Sequence, residues 1–217
     1  MTTQELANSI LGLATDHKRF FVAISGPPAS GKSTLTESLK SLLEQQTSVS
    51  IVAMDGFHYD NSILAETNLL NRKGSPETFD ASGLHLLLLG LQDQTNTLAA
   101  PVFDRQQDLA RASAQLIQPE DHIILIEGNY LLCNTSPWHT LRPFFNHTIK
   151  LTVPEHVLEK RLLQRWLDHD HSQQTAEQRT YSNDLPNARY VIDHSGQSDV
   201  ELQNYEVYGN PDSYFTS

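Results

Sequence analysis

Residues 19–46 have the sequence RFFVAISGPPASGKSTLTESLKSLLEQQ. The apolar, β-prone run at 20–24 predicts a buried strand, and leucines at helical spacing between Leu35 and Leu43 predict a helix. The loop between them, residues 26–33, reads G-x-x-x-x-G-K-S. A strand, a glycine-bounded loop and a helix in this order are the context in which this pattern binds phosphate. The segment therefore predicts a P-loop and the first strand–helix unit of a parallel sheet.

Each residue type in this loop has a chemical reason. Gly26 and Gly31 allow backbone angles that other residues avoid, so successive N–H groups can point at phosphate oxygens. The helix that follows directs its positive end at the same phosphates. The Lys32 ammonium is predicted to reach the β- and γ-phosphates, and the Ser33 hydroxyl is predicted to bind Mg²⁺. The predicted nucleotide-binding residues are Gly26, Pro27, Pro28, Ala29, Ser30, Gly31, Lys32, Ser33 and Thr34.

The composition argues against several classes of partner. The chain has 217 residues, a formal net charge of −11 and no run of Lys or Arg, so we expect no nucleic acid or anionic membrane partner. No segment has the length of a membrane span, and the N-terminus lacks the pattern of a secretory signal. The single cysteine, Cys133, excludes an internal disulfide. We expect a cytoplasmic protein with a small-molecule substrate, and both a monomer and a homodimer stay open.

Strand and helix patterns alternate along the chain, which predicts parallel strands joined by right-handed crossovers. Outside the P-loop unit, the predicted strands are 49–54, a weak one at 115–118, 123–126, 148–153 and one after Asp199. The predicted helices are 2–17, 62–70, 84–91, one that begins after Pro154, and 186–192. Polar turns are predicted at 55–60 and 101–105, and a polar, mobile segment at 168–178. The fold class predicted is a doubly wound α/β sheet in one domain, residues 1–217.

Two carboxylates follow predicted strands. Asp55 ends strand 49–54, at the edge where open α/β sheets bind ligands. It is a candidate base for the proton of a substrate hydroxyl, and a turn aspartate that caps a backbone N–H is an equal alternative. Glu127 ends strand 123–126 in the Walker B arrangement and is predicted to hold Mg²⁺ directly or through water. A solvated acid is the alternative for Glu127.

Charged side chains also cluster on and after the helix that follows Pro154. Arg161 and Arg165 lie one turn apart and could close over the phosphates. From the residues alone, a solvated helix face is the better interpretation of this pair. His169, Asp170 and His171 resemble metal ligands, but the sequence places no further ligand beside them, so a hydrated turn is the better interpretation.

With these residues identified, the chain resembles the uridine kinase and phosphoribulokinase superfamily of P-loop kinases, which also holds type I pantothenate kinase. The resemblance is closest to a bacterial subgroup of nucleoside or fructose-type sugar kinases. The segments that carry it span nearly the whole chain: GPPASGKST, MDGFHYDN, RKGSPETFD, PVFDRQ, ILIEGNYLL, RLLQRW and NDLPNA. The P-loop is generic, whereas DGFH followed by RKGSPETFD is much more specific.

The resemblance implies a P-loop kinase fold with a small mobile lid within about 161–180. It implies that Asp55 is the catalytic base, that Glu127 helps to hold Mg²⁺, and that the two arginines belong to the lid. The implied catalytic residues are thus Lys32, Asp55, Arg161 and Arg165. Segments around the implied acceptor pocket contain His58, Arg72, Lys73, Phe79, Asp80 and Arg105.

The chain also departs from the family pattern. Residues 168–171, Asp-His-Asp-His, stand where many relatives carry a glycine and often a further arginine. Arg179 or a histidine could therefore act as the third positive group of the lid, or the lid has none. The tail from Tyr205 to Ser217 matches only in its last residues.

Together these features predict an ATP- and Mg²⁺-dependent kinase that phosphorylates a hydroxyl of a small polar metabolite. A GTPase switch would need a guanine-reading Asn-Lys-x-Asp element, which the sequence lacks. A catalytically impaired or regulatory nucleotide-binding protein is the alternative, and the presence of Lys32, Ser33, Asp55 and Glu127 together argues against it. The polar residues of the pocket segments rank a sugar-like acceptor narrowly above a nucleoside. Arg72, Lys73 and Arg105 leave room for a carboxylate on the acceptor, as in pantothenate.

Overall fold

A central parallel sheet organises the protein, whose computed structural model describes residues 1–205. The seven strands of the described chain are β1 Phe20–Ser25, β2 Val49–Ala53, β3 Leu98–Asp104, β4 Leu109–Ile117, β5 Ile123–Gly128, β6 His147–Thr152 and β7 Val200–Gln203. Five of them form the sheet in the order β2-β5-β1-β6-β7, and every neighbouring pair is parallel. The predicted parallel α/β sheet is confirmed, including the strand after Asp199.

Helices cover both faces of this sheet. The helices are α1 Thr3–Ala14, α2 Lys32–Leu43, α3 Asn61–Glu66, α4 Ala81–Gln92, α5 Glu155–Asp168, α6 Gln173–Arg179 and α7 Leu185–His194. Because successive residues of a strand point to opposite faces, Val22 and Ile24 pack in the core with α1 and α2, whereas Phe21 and Ala23 pack in the core with α4. Burial on both faces explains why β1 is apolar throughout.

The predicted helices are found, with shorter bounds at two of them. The capping box at the start of α1 is confirmed, because Thr2 and Glu5 each accept a hydrogen bond from the other's backbone N–H. The prediction 62–70 was too long: α3 ends at Glu66, and Asn68 takes a left-handed conformation (φ 60°). Within residues 1–205, no helix combines the length and the apolar character that a membrane crossing requires.

An antiparallel hairpin, β3 and β4, lies apart from the main sheet and corrects two predictions. The predicted turn at 101–105 is mostly strand, and the weak strand at 115–118 is the end of the much longer β4. The pairing register shifts between Ala100 and Val102, so Pro101 occupies an irregular position where no ladder hydrogen bond is required of it. The pairing of these two neighbouring segments with each other outweighs their weak strand propensity.

The segment after α5 is ordered into helix to a greater extent than the polar sequence indicated. Ser172 caps α6 by accepting a hydrogen bond from the backbone N–H of Thr175. A π-helical turn, Thr180–Asp184, then leads directly into α7. The mobility predicted for residues 168–178, and for the lid as a whole, stays a prediction. The tail beyond residue 205 lies outside the described residues.

Candidate active site

The P-loop lies at the carboxyl end of β1 and opens directly into α2. Ala29 and Gly31 both have left-handed backbone conformations, with φ of 62° and 94°. Gly31 is the residue before α2, and a side chain there would also meet the Asn204 amide nitrogen at 2.9 Å. The predicted need for glycine backbone angles is therefore confirmed at Gly31 but not at Gly26, whose φ is not positive. A side chain at Gly26 would instead meet the Leu151 carbonyl oxygen at 2.8 Å. The first backbone N–H groups of α2 have no partner within the helix and point toward the space that the P-loop borders.

One cavity of about 280 Å³ opens where β1, β2 and β5 end. Its lining residues come from the P-loop, from the turn after β2, from the end of β5, from the β3–β4 turn and from α5. They are Pro28, Ala29, Gly31, Lys32, Ser33, Thr34, Asp55, Arg105, Glu127, Gly128, Asn129 and Arg165. Pro28 and Arg165, which are 137 positions apart in sequence, thus border the same space. The cavity lies at the edge where parallel sheets place their ligands.

Lys32 is the buried cation of this cavity. Its side-chain nitrogen lies 3.0 Å from the Pro27 carbonyl oxygen, to which it donates. Burial lowers the Lys32 pKa to about 8, against the opposite effect of the Glu127 and Asp55 carboxylates. A bound phosphate would place further negative charge beside Lys32 and would stabilise its charged form, so the site favours an anion.

Ser33 and Glu127 form the pair expected for Mg²⁺. The Ser33 hydroxyl donates to both carboxylate oxygens, at 2.8 and 3.1 Å. Burial raises the Glu127 pKa, opposed by Lys32 and by this hydrogen bond. A hydroxyl and a carboxylate, both oxygen donors within one ligand's reach, suit Mg²⁺ with water or phosphate as its other ligands. Among residues 1–205, no group of three or more His, Cys, Asp or Glu side chains is arranged to hold a metal ion. This statement also covers His169, Asp170 and His171.

Asp55 stands across the cavity from the P-loop, in the short 3₁₀ turn Met54–Phe57 that follows β2. Its carboxylate lies 3.4 Å from the Arg105 guanidinium, in a partly exposed ion pair. The capping alternative for Asp55 is not what the structure shows, since no backbone N–H donates to its carboxylate among the hydrogen bonds of the described residues. The residue thus faces the cavity beside a cation.

The two α5 arginines have different partners. Arg161 donates to the Ala29 carbonyl at 3.2 Å and to the Asn204 side-chain oxygen at 2.9 Å. Arg165 lines the cavity and lies 3.7 Å from Asp184, whose carboxylate also accepts the Trp166 indole N–H at 2.7 Å. Burial raises the Asp184 pKa, although Arg165 opposes the shift.

Arg179, the suggested third positive group of the lid, stacks on the Trp166 ring at 4.6 Å. Arg179 therefore packs against Trp166, whereas Arg165 borders the cavity itself.

Three rings pack together next to Asp55, in the segments that were predicted to bind the acceptor. The His58 ring lies 3.9 Å from the Phe79 ring and 4.8 Å from the Phe103 ring. His58 Nδ1 lies 2.8 Å from the Asp55 carbonyl oxygen, so Nδ1 carries the proton and donates. Burial lowers the His58 pKa, which keeps the ring neutral at pH 7. In this tautomer Nε2 is a hydrogen-bond acceptor.

The remaining predicted acceptor residues contact protein groups. Lys73 donates to the Asn61 side chain at 2.7 Å and to the Asp108 carbonyl at 2.6 Å, and pairs with the Asp108 carboxylate at 3.0 Å. Arg72 contacts the Ser182 carbonyl at 3.1 Å and the Asn187 side chain at 3.4 Å.

Asp80 caps α4 by accepting from the Gly83 N–H at 2.8 Å. Roles for Arg72, Lys73 and Asp80 in binding the acceptor stay predictions.

Sequence reasoning missed several residues that the fold brings to the site. Asn204, directly after β7, is 2% exposed and contacts the P-loop. Asp184 and Trp166 contact Arg165, and Asn129 lines the cavity. These three residues lie in motif segments, but the sequence does not show which side chains they meet, so their roles became visible only in the tertiary structure.

Comparison with known proteins defines the class of this fold and site. No family model matches the chain. The "Uncharacterized protein YggC" of Escherichia coli (strain K12) is 32% identical over 193 residues, covering 87% of this chain and 79% of that protein. The Schizosaccharomyces pombe protein named "Putative uridine kinase C227.14" is 30% identical over 213 residues, which cover 94% of this chain and 91% of that protein. Pantothenate kinase of Myxococcus xanthus is 32% identical, but the chain spans only 57% of its length.

Solved structures agree with this assignment. A crystal structure described as a "putative fructose transport system kinase" from Silicibacter sp. TM1040 matches with a TM-score of 0.88 and 41% identity, over 93% of this chain and 98% of that one. Phosphoribulokinase from Rhodobacter spheroides, at 14% identity and a TM-score of 0.63, shows the shared fold alone. The parallel sheet, the P-loop and these similarities show that this protein is homologous to small-molecule P-loop kinases. The chain belongs to the uridine kinase and phosphoribulokinase-like family of these kinases, together with the pantothenate kinases.

Proposed function

We propose that this protein is an ATP-dependent kinase that transfers the γ-phosphoryl group to a hydroxyl of a small polar metabolite. The observation that carries the proposal is that Asp55 borders the same cavity as Lys32, Ser33 and Glu127. Binding of a nucleotide needs only the latter three. A carboxylate across the cavity from them adds a group that can accept a hydroxyl proton during transfer.

In the proposed reaction, the acceptor oxygen forms a bond to the γ-phosphorus, and the bond from that phosphorus to the β–γ bridging oxygen breaks. Asp55 takes the hydroxyl proton. Lys32 and the P-loop N–H groups hold the phosphates, and Arg165, which lines the cavity, offsets charge as it builds. Mg²⁺ held by Ser33 and Glu127 would neutralise the β- and γ-oxygens when bound. Catalysis is then mostly positioning and charge stabilisation.

For the acceptor, we propose a polyhydroxylated, uncharged molecule, with a sugar ranked above a nucleoside. Neutral His58 offers an acceptor atom to a hydroxyl donor. Lys73 and Arg105 already pair with Asp108 and Asp55, so neither cation is held ready for a substrate carboxylate. Arg72 contacts only neutral partners, which is why acidic acceptors belong in the test.

The test is a panel of sugars, sugar acids, nucleosides and pantothenate, each with MgATP. ADP release and product mass are the measurements, with Asp55→Asn as the inactive control. We expect ADP and a product heavier by one phosphoryl group with a neutral sugar. A clear preference for uridine or cytidine would overturn the ranking of acceptors. MgATP binding by calorimetry with transfer to no small molecule would favour the nucleotide-binding alternative over the kinase.

A further inference from the structure

The geometry points to Asn204 as a positioning residue for the phosphate-binding backbone, a role that depends on the proposed binding of ATP. Asn204 follows β7, the last strand of the sheet, 173 positions after Gly31 in sequence. It is 2% exposed, and its backbone N–H donates to the Thr152 carbonyl at 2.9 Å, which fixes it to the end of β6. The side chain is therefore held rigidly behind the P-loop.

Both polar atoms of the Asn204 side chain connect to the P-loop, one directly and the other through Arg161. The amide nitrogen donates to the Ser30 carbonyl at 2.9 Å, in a buried hydrogen bond. The amide oxygen accepts from Arg161 at 2.9 Å, and Arg161 in turn donates to the Ala29 carbonyl at 3.2 Å. Two successive carbonyls of the loop are thus held by side chains from α5 and from the end of β7.

Holding these carbonyls also determines where the next N–H groups point. The C=O and N–H of one trans peptide unit point in opposite directions. The Ser30 carbonyl faces Asn204, so the Gly31 N–H of the same peptide faces away from Asn204. Gly31 itself lines the cavity, and its amide is among those that a P-loop directs at phosphate.

The contacts of Asn204 and Arg161 also hold the part of the P-loop whose backbone conformation is least favourable on its own. Ala29 and Gly31, on either side of Ser30, both have positive φ, and Ala29 carries a Cβ that disfavours this region. Polar partners at Ala29 and Ser30 stabilise this conformation before any ligand is present. Loss of the Asn204 hydrogen bond should therefore weaken nucleotide binding by relaxing a preorganised loop.

The test compares Asn204→Ala, Asn204→Asp and the control Gln203→Ala, an exposed neighbour at the end of the same strand. The measurement is the Kd of MgADP and MgATP by calorimetry, without any acceptor. Asp keeps an oxygen for Arg161 but replaces the donor to Ser30 with a second oxygen. We expect both Asn204 variants to raise the Kd about tenfold, a change of the size of one buried hydrogen bond, and Gln203→Ala to leave it unchanged.

The outcomes separate this inference from the proposed function. Failure of the unchanged protein to bind either nucleotide would refute the proposed function itself. Normal binding in the unchanged protein and in both Asn204 variants would overturn the role of Asn204. If Asn204→Asp binds normally while Asn204→Ala does not, Asn204 acts through Arg161 alone, and the Ser30 contact has no role. Should Asn204→Ala not fold, Asn204→Asp alone decides, because it is isosteric and separates the two contacts.

Discussion

The two sides of the cavity are built in different ways. The nucleotide side, residues 26–34 with Glu127, comes almost entirely from one continuous segment, and its polar groups are set by the backbone around Gly31. The proposed acceptor side, residues 55–58, 72–80 and 103–108, is assembled from three separated segments. Its cations Lys73 and Arg105 are already paired with carboxylates, whereas Arg72 contacts neutral groups. The residues of the nucleotide side thus lie close together in sequence, although Arg161 and Asn204 support the loop from distant elements, whereas the proposed acceptor side depends on the packing of the β3–β4 hairpin.

The largest effect is expected on the nucleotide side. Lys32→Ala removes the buried ammonium, so it should lower turnover about a thousandfold and also weaken MgATP binding. Steady-state kinetics and calorimetry measure the two effects. Lys40→Ala, on the exposed face of the same helix and paired with Glu44, is the control and should behave like the unchanged protein. Ordinary turnover in Lys32→Ala would refute the P-loop assignment.

On the acceptor side, a change should separate chemistry from nucleotide binding. Asp55→Asn preserves the shape of the side chain but removes the base, so we expect kcat to fall about a hundredfold with little change in the Kd of MgATP. Asp60→Asn is a suitable control, because Asp60 caps α3 and asparagine also caps helices well. A matching loss of MgATP affinity in Asp55→Asn would instead make Asp55 a metal-binding or structural residue, and the contrast between the two sides would fail.

The same contrast explains how far the sequence could predict the molecule. The P-loop, the individual strands of the main sheet and the capping box at Thr2 follow from local patterns, because each is specified by residues within a few positions of one another. The hairpin was missed, because Pro101 and the small polar residues of β4 have weak strand propensity, and only their pairing makes them strands. Asp184 and Asn204 were missed for a similar reason: their partners, Arg165 and Ser30, are distant in sequence.

Arg161 and Arg165, the two arginines predicted to belong to a lid, should differ from each other when each is replaced. Arg165 borders the cavity, so Arg165→Ala should lower kcat about twentyfold with a small change in melting temperature, since charge beside the transferred group matters mainly in the transition state. Arg161→Ala should lower kcat as well, and its contact with Ala29 predicts an additional loss of MgATP affinity. Lys160→Ala, which removes an exposed cation from the same helix, is the control. If both variants lower the melting temperature and leave kcat intact, the arginines are structural.

The smallest expected effect is a pH dependence that belongs to the nucleotide side alone. Burial, with smaller effects of Arg165 and Arg105, lowers the Lys32 pKa to about 8, although Glu127 and Asp55 oppose the shift. Phosphate binds the charged ammonium, so binding should take up a proton above pH 8, and the Kd of MgATP should rise about tenfold by pH 9. The acceptor KM should stay flat from pH 7 to 9, because the lowered pKa of His58 leaves that ring neutral throughout.

Calorimetry of MgATP binding at pH 7, 8 and 9, in two buffers of different ionisation enthalpy, measures both the Kd and the proton uptake. Lys32→Arg is the matched variant: a guanidinium stays charged over this whole range, so the proton uptake and the rise in Kd between pH 8 and 9 should both disappear, whatever the affinity of the variant at pH 7. A Kd that is constant to pH 9 in the unchanged protein would show that Lys32 keeps its charge despite burial. A rise in Kd that persists in Lys32→Arg would assign the titration to another group on the nucleotide side.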